Sequence, residues 1–231
     1  MRQKRVEENE VCGRYNLFSE LKTIAERFQL MNSEVSELVP RYNIAPGQDI
    51  MAVRSDKNGN HAFFPRWGLV PTWAKDPKIG YKMINARAET LHEKPTFKRL
   101  LSRKRCLIVA DGFYEWKKEK NGKQPYHIHL DDRSPFGFAG LWDEWENQGE
   151  VIHTCTIITT EANELMRDIH HRMPVILTRD SEEAWLDQAD LSMTDLTELL
   201  VAYDPNAMFA YPISTFVNNS RNEGKDILNS L

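Results

Sequence analysis

No unbroken apolar run in this chain of 231 residues is longer than the five residues 106–110. A run of that length suits one buried strand, whereas a membrane-spanning helix takes about 20 apolar residues. The other apolar segments are also short, and most follow one another without a regular crossover helix. This pattern favours an α+β fold, a single domain with a mixed, barrel-like β-sheet core flanked by short helices, over a doubly wound parallel sheet.

The spacing of apolar residues predicts where the helices and strands lie. An amphipathic helix is predicted over residues 17–30 and a short basic helix over residues 97–103. Further helices are predicted over residues 161–168 with Thr159 or Thr160 as the cap, from Ser181, and from Ser192 with Asp195 three residues later. Strands are predicted over residues 50–53, 61–64, 106–110, 125–130, 136–142, 153–159 and 173–177.

Composition limits the classes of function that the chain can have. Hydrophobic residues make up 41% and charged residues 28%, which excludes an intrinsically disordered protein. The formal net charge is −4, from 30 basic and 34 acidic residues, so nucleic-acid binding would need a local basic groove rather than bulk charge. Three cysteines do not make a disulfide framework, residues 1–11 are too charged for a secretory signal, and no CxxC or HExxH spacing is present. We therefore expect a cytoplasmic protein with no metal site, no cofactor and no membrane partner.

Polar and aromatic residues gather in segments next to the predicted elements. Each residue type in these segments also has a purely structural interpretation. A single cysteine is more often a small buried hydrophobic residue than a nucleophile, a histidine can be a hydrogen-bonded structural residue, and tryptophans can belong to the core. The segments are residues 11–15, 66–73, 84–90, 111–116 and 169–174.

Taken together, six ordered blocks carry a more specific signal than any one segment. They are CGRY, RYNIAPGQ, RWGLVPTW, NARAET, RCLIVADGFYEW and IHHRMPVIL, and the resemblance that they carry runs from Cys12 to about Pro212. In this order they resemble the SRAP family (SOS-response-associated peptidase; abasic site processing proteins). The resemblance implies the SRAP fold over residues 12–231. It also implies a DNA-damage protein, nucleoid-associated when DNA is damaged, whose partner is single-stranded DNA containing abasic sites.

The resemblance further implies a covalent reaction at an N-terminal cysteine, which would be Cys12. The open form of an abasic sugar presents an aldehyde, and an α-amine with a pKa of about 7.7–8.0 is partly neutral and can condense with it to an imine. The thiol of the same residue can then close a five-membered thiazolidine ring. A lysine would stop at a Schiff base that water can hydrolyse.

By the same resemblance, three residues act beside Cys12. Asn85 would hold the N-terminus and the sugar, Glu115 would move protons at the amine and sugar, and His170 would be a general acid or base. His171 receives no role.

DNA-binding roles follow from the resemblance as well. The expected phosphate-binding residues are Arg14, Arg87 and Arg172, and the expected base-stacking residues are Trp67 and Trp116. The basic run over residues 98–105 is interpreted equally well as an extension of the DNA groove or as a solvated helix face.

Residues 1–11 depart from the family pattern, because they leave Cys12 with an amide nitrogen instead of an amine. Either this extension is cleaved, by the protein's own peptidase-like activity, or it is never made. We favour a translation start at Val11, since valine is what a GTG start codon reads as when translation is taken from too far upstream. The codons that can encode residues 6–8 also allow a ribosome-binding sequence just upstream of the Val11 codon. The expected organisation is a non-native or cleaved extension over residues 1–11 and one domain over residues 12–231.

Three hypotheses of function stay open at this point. Covalent capture of abasic sites requires a free N-terminal Cys12. A cysteine peptidase using Cys12 and His170 with Glu115 or Asn85, acting on its own leader, would cleave an amide and need no abasic site. A non-covalent single-strand DNA-binding module would tolerate Cys12→Ala unchanged.

Overall fold

The structure is a computed structural model that describes residues 12–31, 35–187 and 192–231. The expected extension over residues 1–11, Val11 included, lies outside the described residues. The strands are β1 (Tyr15–Leu17), β2 (Arg41–Ile44), β3 (Ala52–Asp56), β4 (Gly59–Phe63), β5 (Arg66–Trp67), β6 (Asn85–Arg87), β7 (Arg105–Ala110), β8 (Gly112–Glu119), β9 (Gly122–Leu130), β10 (Phe136–Asn147), β11 (Glu150–Glu161), β12 (Arg172–Pro174) and β13 (Met208–Pro212). The α-helices are α1 (Leu21–Arg27), α2 (Pro95–Arg103), α3 (Glu164–Arg167), α4 (Arg179–Leu186) and α5 (Met193–Glu198).

The strands form two sheets. The first sheet is antiparallel, in the order β13-β9-β8-β1-β2. The second sheet runs β12-β11-β10-β7-β3-β4, and β5 and β6 join it as parallel partners of β11. Within the described residues neither sheet closes on itself. This arrangement confirms the predicted α+β fold with a mixed sheet and short helices.

The main core lies around β7, in which every residue from Arg105 to Ala110 is buried. Aromatic side chains from both sheets meet edge to face in this core. The ring of Phe138 lies 5.9 Å from the ring of Phe113 and 6.0 Å from the ring of Tyr15. Full burial of such side chains stabilises the fold by about 1.5–3 kcal/mol each. The start of β1 is therefore fixed against both sheets.

The two faces of β8 have different surroundings. Phe113 belongs to the main core, whereas Tyr114 packs with Ile213, Val217 and Ile227 in a second cluster on the outer face. Since side chains alternate along a strand, Glu115 shares the inner face with Phe113, and the residues on either side of it point outward.

Several predicted boundaries differ from the structure. The first helix begins at Leu21 rather than residue 17, because residues 15–17 pair with the sheet as β1. The strand predicted over residues 173–177 is β12, and it covers Arg172–Pro174. The segments 85–87 and 112–116, which had no predicted element, are β6 and part of β8.

The helix caps were predicted correctly in one case of three. Ser192 and Asp195 form the predicted capping box of α5. The cap of α3 is Asn163, not Thr159 or Thr160, since both threonines lie in β11. Thr178, not Ser181, caps α4 by accepting the Ser181 N–H at 3.3 Å. No helix in the described part of the chain has the length and apolar character needed to cross a bilayer.

Candidate functional site

Cys12 and Glu115 meet where β1 and β8 run side by side. Because Tyr15 pairs with Phe113 in antiparallel register, the residues just before Tyr15 lie beside those just after Phe113. The backbone nitrogen of Cys12 donates a hydrogen bond of 2.6 Å to Oε1 of Glu115. Both residues are buried. The structure thus brings together two of the four predicted catalytic residues, Cys12 and Glu115.

Burial changes the acid–base chemistry of both groups. It raises the pKa of Glu115 to about 8, although the hydrogen bond from Cys12 opposes the shift. Burial also raises the pKa of the Cys12 thiol well above its ordinary value, and the Glu115 carboxylate raises it further. Near neutral pH the thiol therefore keeps its proton, whereas the carboxyl group can gain or lose one.

His170 lies after α3, where its ring is held in place by its neighbours. Nδ1 lies 3.2 Å from both the backbone nitrogen and the backbone oxygen of Arg172, and the ring lies 4.4 Å from that of His171. Burial lowers the pKa of His170, so the imidazole is neutral near pH 7. The positive charge of Lys123 lowers the pKa of both Glu115 and His170. Both predicted residues are therefore near the beginning of β9, where Lys123 lies.

Asn85 and Arg87 lie at the two ends of β6. Asn85 is half-buried and pairs with Ile157 in parallel register. Arg87 is exposed, as expected of a residue that contacts phosphate.

The side chains of Arg14 and Trp116 lie next to each other. In the sequence, Arg14 is two residues after Cys12, and Trp116 directly follows Glu115. The guanidinium of Arg14 is 6.0 Å from the centre of the Trp116 ring. Nη1 of Arg14 also donates to Oδ1 of Asn43 at 2.7 Å and to the carbonyl oxygen of Val217 at 2.8 Å. Trp116 is half-buried and donates from Nε1 to Asn218 at 2.8 Å. Both side chains are oriented by these contacts and stay partly open to solvent.

Trp67 and Arg172 do not lie where the predicted DNA contacts require them. Trp67 is only 1% exposed, and its Nε1 donates to the carbonyl oxygen of Ile84 at 2.9 Å, so no face of the ring is open to a base. Arg172 is buried, and its guanidinium forms a fork with Glu89 at 3.1 and 3.0 Å. It also donates to the carbonyl oxygen of Thr159 at 2.7 Å. The structure therefore corrects both expectations: Trp67 is a core residue, and Arg172 is already bonded inside the protein.

Two exposed aromatic residues were missed by the sequence analysis. Trp73 is 65% exposed and Tyr81 is 66% exposed. They lie on a segment that also carries the exposed Lys75, Lys78 and Lys82. Trp73 is the second tryptophan of the block whose first is Trp67, and of these two rings it is the one that is open to solvent.

A close backbone contact holds this aromatic segment. Gly68 has φ +130°, and a Cβ placed on it would lie 2.8 Å from the carbonyl oxygen of Gly80. A side chain at either glycine would push the two backbones apart, and with them the segment between Trp67 and Tyr81.

Most of the basic run over residues 98–105 has structural partners. Arg99 forms an ion pair with Asp143, and Lys104 pairs with Glu144 at 3.3 Å. Arg105 is buried and bonded to backbone carbonyl groups. Of the two interpretations, this favours a structural face over an extension of a DNA groove.

Comparison with known proteins gives consistent results. The sequence profile of the family described as "SOS response associated peptidase (SRAP)" matches residues 11–220. The chain is 48% identical to "Abasic site processing protein YoaM" of Bacillus subtilis, with 95% of this chain and 98% of that protein covered. It is also 48% identical to "Abasic site processing protein YoqW" of Bacillus phage SPbeta, with 95% of this chain and 100% of that protein covered. A crystal structure of a protein from Bacteroides thetaiotaomicron superposes with a TM-score of 0.86 at 32% identity, covering 95% of this chain and 100% of that one.

Proposed function

Because the chain belongs to the SOS response associated peptidase (SRAP) family, we propose that it processes abasic sites in single-stranded DNA by forming a covalent link through Cys12. The observation that carries this proposal is the 2.6 Å contact between the nitrogen of Cys12 and Oε1 of Glu115. The names of its relatives, which are abasic site processing proteins, support the choice of lesion.

The reaction begins at the nitrogen of Cys12. A neutral α-amine attacks C1′ of the open-chain sugar, and loss of one water leaves an imine. Glu115 takes a proton from the attacking nitrogen and returns one to the departing hydroxyl group. Burial raises the pKa of Glu115 above the ordinary range of a carboxyl group, which suits a group that accepts a proton and then returns it.

The thiol of Cys12 completes the reaction. Sulfur adds to the imine carbon, and the thiol proton goes to the nitrogen, which closes the thiazolidine ring. The raised pKa of the thiol keeps it protonated until the imine has formed, so the amine reacts first. His170, neutral near pH 7, moves the proton that opens the sugar ring, and Asn85 holds the sugar.

The flanking DNA is held by exposed groups around this centre. Arg14 and Arg87 contact phosphates, and Trp116 stacks on a base. Trp73 and Tyr81 replace Trp67 as further stacking residues, because each has more than half of its surface open. Stacking of this kind contributes about 1–3 kcal/mol per base.

This mechanism requires that residues 1–11 are absent from the active protein. An amide nitrogen at Cys12 cannot form an imine, whereas a chain that begins at Cys12 has both nucleophiles on one residue.

The test compares the chain expressed from Met1 with the chain in which Val11→Met serves as the initiator. Each is mixed with single-stranded DNA that carries one abasic site and is run on a denaturing gel. We expect an adduct from the short form and none from its Cys12→Ala variant. If the Cys12→Ala variant also forms the adduct, or if only the long chain forms it, the thiazolidine mechanism is wrong. Non-covalent binding without any adduct would instead identify a DNA-binding module.

A second function, self-cleavage before Cys12, is favoured by the same contact. Water adds to the carbonyl carbon of Val11, the bond from Val11 to Cys12 breaks, and Val11 is left as a carboxylate. Oε1 of Glu115 lies against the departing nitrogen, and a carboxyl group with a pKa of about 8 can protonate that nitrogen at neutral pH. Mass spectrometry of the chain expressed from Met1 would show loss of residues 1–11 over time, and no loss in Glu115→Gln. A chain that keeps these residues in both forms rules out self-cleavage.

A further inference from the structure

The hairpin of β8 and β9 extends beyond the site and carries an unusual concentration of positive charge. Glu119 pairs with Gly122 across the two-residue turn that ends the hairpin. Between residues 117 and 123 the hairpin has four lysines and one glutamate, in a chain whose formal net charge is −4. The lysines are Lys117, Lys118, Lys120 and Lys123.

Two of these lysines lie directly opposite each other. Lys118 pairs with Lys123 in the β8–β9 register, and both are exposed. Like charges at directly opposed positions destabilise a strand pair. Within the described residues no acidic side chain forms an ion pair with either lysine. The structure therefore leaves a repulsive pair without an internal counter-ion.

The lysine pair is close to the proposed reaction centre. Lys118 lies three positions after Glu115 on the same strand, about 10 Å along it, and its side chain is on the opposite face of β8 from Glu115. Trp116 lies on the same face as Lys118, and the Arg14 guanidinium lies 6.0 Å from its ring. The charge of Lys123 acts on both Glu115 and His170. Arg14, Trp116 and the two lysines thus form a line of cationic and aromatic groups leading away from Cys12.

We infer that Lys118 and Lys123 form a phosphate-binding pair, which holds the backbone of the DNA strand on one side of the lesion. This inference rests on the proposed function for the identity of the DNA. A phosphate between the two ammonium groups would remove their repulsion, which explains why the pair occurs at the end of an otherwise regular hairpin.

The test measures binding separately from covalent capture. In the Cys12→Ala background, anisotropy of a labelled single-stranded oligonucleotide with a stable abasic analogue gives the affinity as a function of salt. Lys118→Gln/Lys123→Gln should weaken binding about tenfold at low salt and reduce the slope of log K against log salt by about 0.7, since the pair holds one phosphate and each phosphate contact in single strands contributes about 0.7. The control, Lys57→Gln/Lys225→Gln, removes two exposed lysines elsewhere and should leave both values nearly unchanged.

Oligonucleotides shortened on one side of the lesion locate the contact. The difference between the variant and its parent should disappear with one truncation only. Equal losses in the variant and the control, no loss in either, or a difference that survives both truncations would overturn the inference.

Two further readouts separate this inference from its alternatives. Lysines at open strand edges can also prevent aggregation. If the variant aggregates but binds DNA normally, that role replaces the one inferred here. The variant should otherwise melt at the same temperature as its parent or higher, because a repulsive pair has been removed. If the protein with Cys12 forms no adduct, the proposed function fails, but the binding data in the Cys12→Ala background still decide the role of the lysines.

Discussion

At the scale of single residues, Glu115 is the least ordinary side chain in the structure. Its carboxyl group is 2% exposed and accepts a hydrogen bond of 2.6 Å from the backbone nitrogen of Cys12. Burying such a group opposes folding unless its charge is neutralised. Strongly shifted ionisable groups of this kind cluster at functional sites, and here the shift brings the pKa to about 8, within the range where protons are exchanged.

Glu115→Gln keeps the shape of the side chain and removes its acid–base function. We expect adduct formation with abasic DNA to slow by about 100-fold, at the lower end of what general acid–base catalysis contributes. The rate is measured from the time course of adduct on denaturing gels, with the short form of the chain. Glu119→Gln, an exposed position four residues further along β8, should react at the normal rate. Equal rates for the two variants would assign Glu115 a purely structural role.

The pair of tryptophans in RWGLVPTW shows where sequence reasoning stops at this scale. The motif indicates an aromatic DNA contact, but it cannot say which ring is buried. Trp67 is in β5 and is covered by Tyr15 at 5.5 Å, whereas Trp73 lies in the turn that begins at Pro71 and stays open. Burial depends on the packing of β1 against β5, which are far apart in sequence.

At the scale of elements, Arg105 ties the ends of two helices to the central strand. From the first position of β7 it donates to the carbonyl oxygens of Leu101 at 2.5 Å, Ser102 at 2.9 Å and Trp185 at 2.7 Å, and to that of Asp187. The last carbonyl groups of a helix have no partner within the helix. Arg105 thus bonds carbonyl groups at the ends of both α2 and α4.

Arg105→Met fills similar volume but leaves these carbonyl groups without a donor. Hydrogen bonds to charged groups contribute about 1.5–3 kcal/mol, so we expect the free energy of unfolding to fall by about 3 kcal/mol. Urea unfolding followed by circular dichroism measures the change. Arg103→Met, at the exposed end of α2, should cost less than about 0.5 kcal/mol. A similarly small loss in Arg105→Met would mean that water replaces the guanidinium at both helix ends.

Elements with a clear local signal in the sequence were predictable, and those without such a signal were not. The apolar run of β7 and the capping box of α5 depend on neighbouring residues, and both were found where predicted. β6 has no period of its own and becomes a strand only because β11 provides a parallel partner. The basic run over residues 98–105 indicated a groove and a helix face equally, and only the positions of Asp143 and Glu144 on β10 decide between them.

At the scale of the whole molecule, two buried ionisable groups in the first sheet have opposite effects on how stability depends on pH. His127 contacts the Asn16 amide at 2.9 Å and the Tyr211 hydroxyl at 3.0 Å, and burial lowers its pKa to about 3. The unfolded chain binds this proton near pH 6.5, so His127 reduces stability as the pH falls from there towards 3. For Glu115 the folded pKa is raised, so its contribution to stability is complete below pH 4.5 and is lost as the pH rises to about 8. The sum of these two contributions is largest between about pH 4.5 and 6.5.

Glu115→Gln isolates one side of this balance. The comparison uses the chain expressed from Met1, in which the nitrogen of Cys12 is an amide. The free energy of unfolding of Glu115→Gln should exceed that of the parent by an amount that grows by about 1.4 kcal/mol per pH unit between about pH 5 and 8. The total gain at pH 8 is on the order of 4 kcal/mol, and the difference is constant below pH 4.5, where the parent carboxyl is already neutral. Urea unfolding at successive pH values measures it, and Glu119→Gln should give a flat difference. A Glu115→Gln difference that does not change with pH would mean that the carboxyl is charged throughout this range, and that a cation neutralises it in the folded protein.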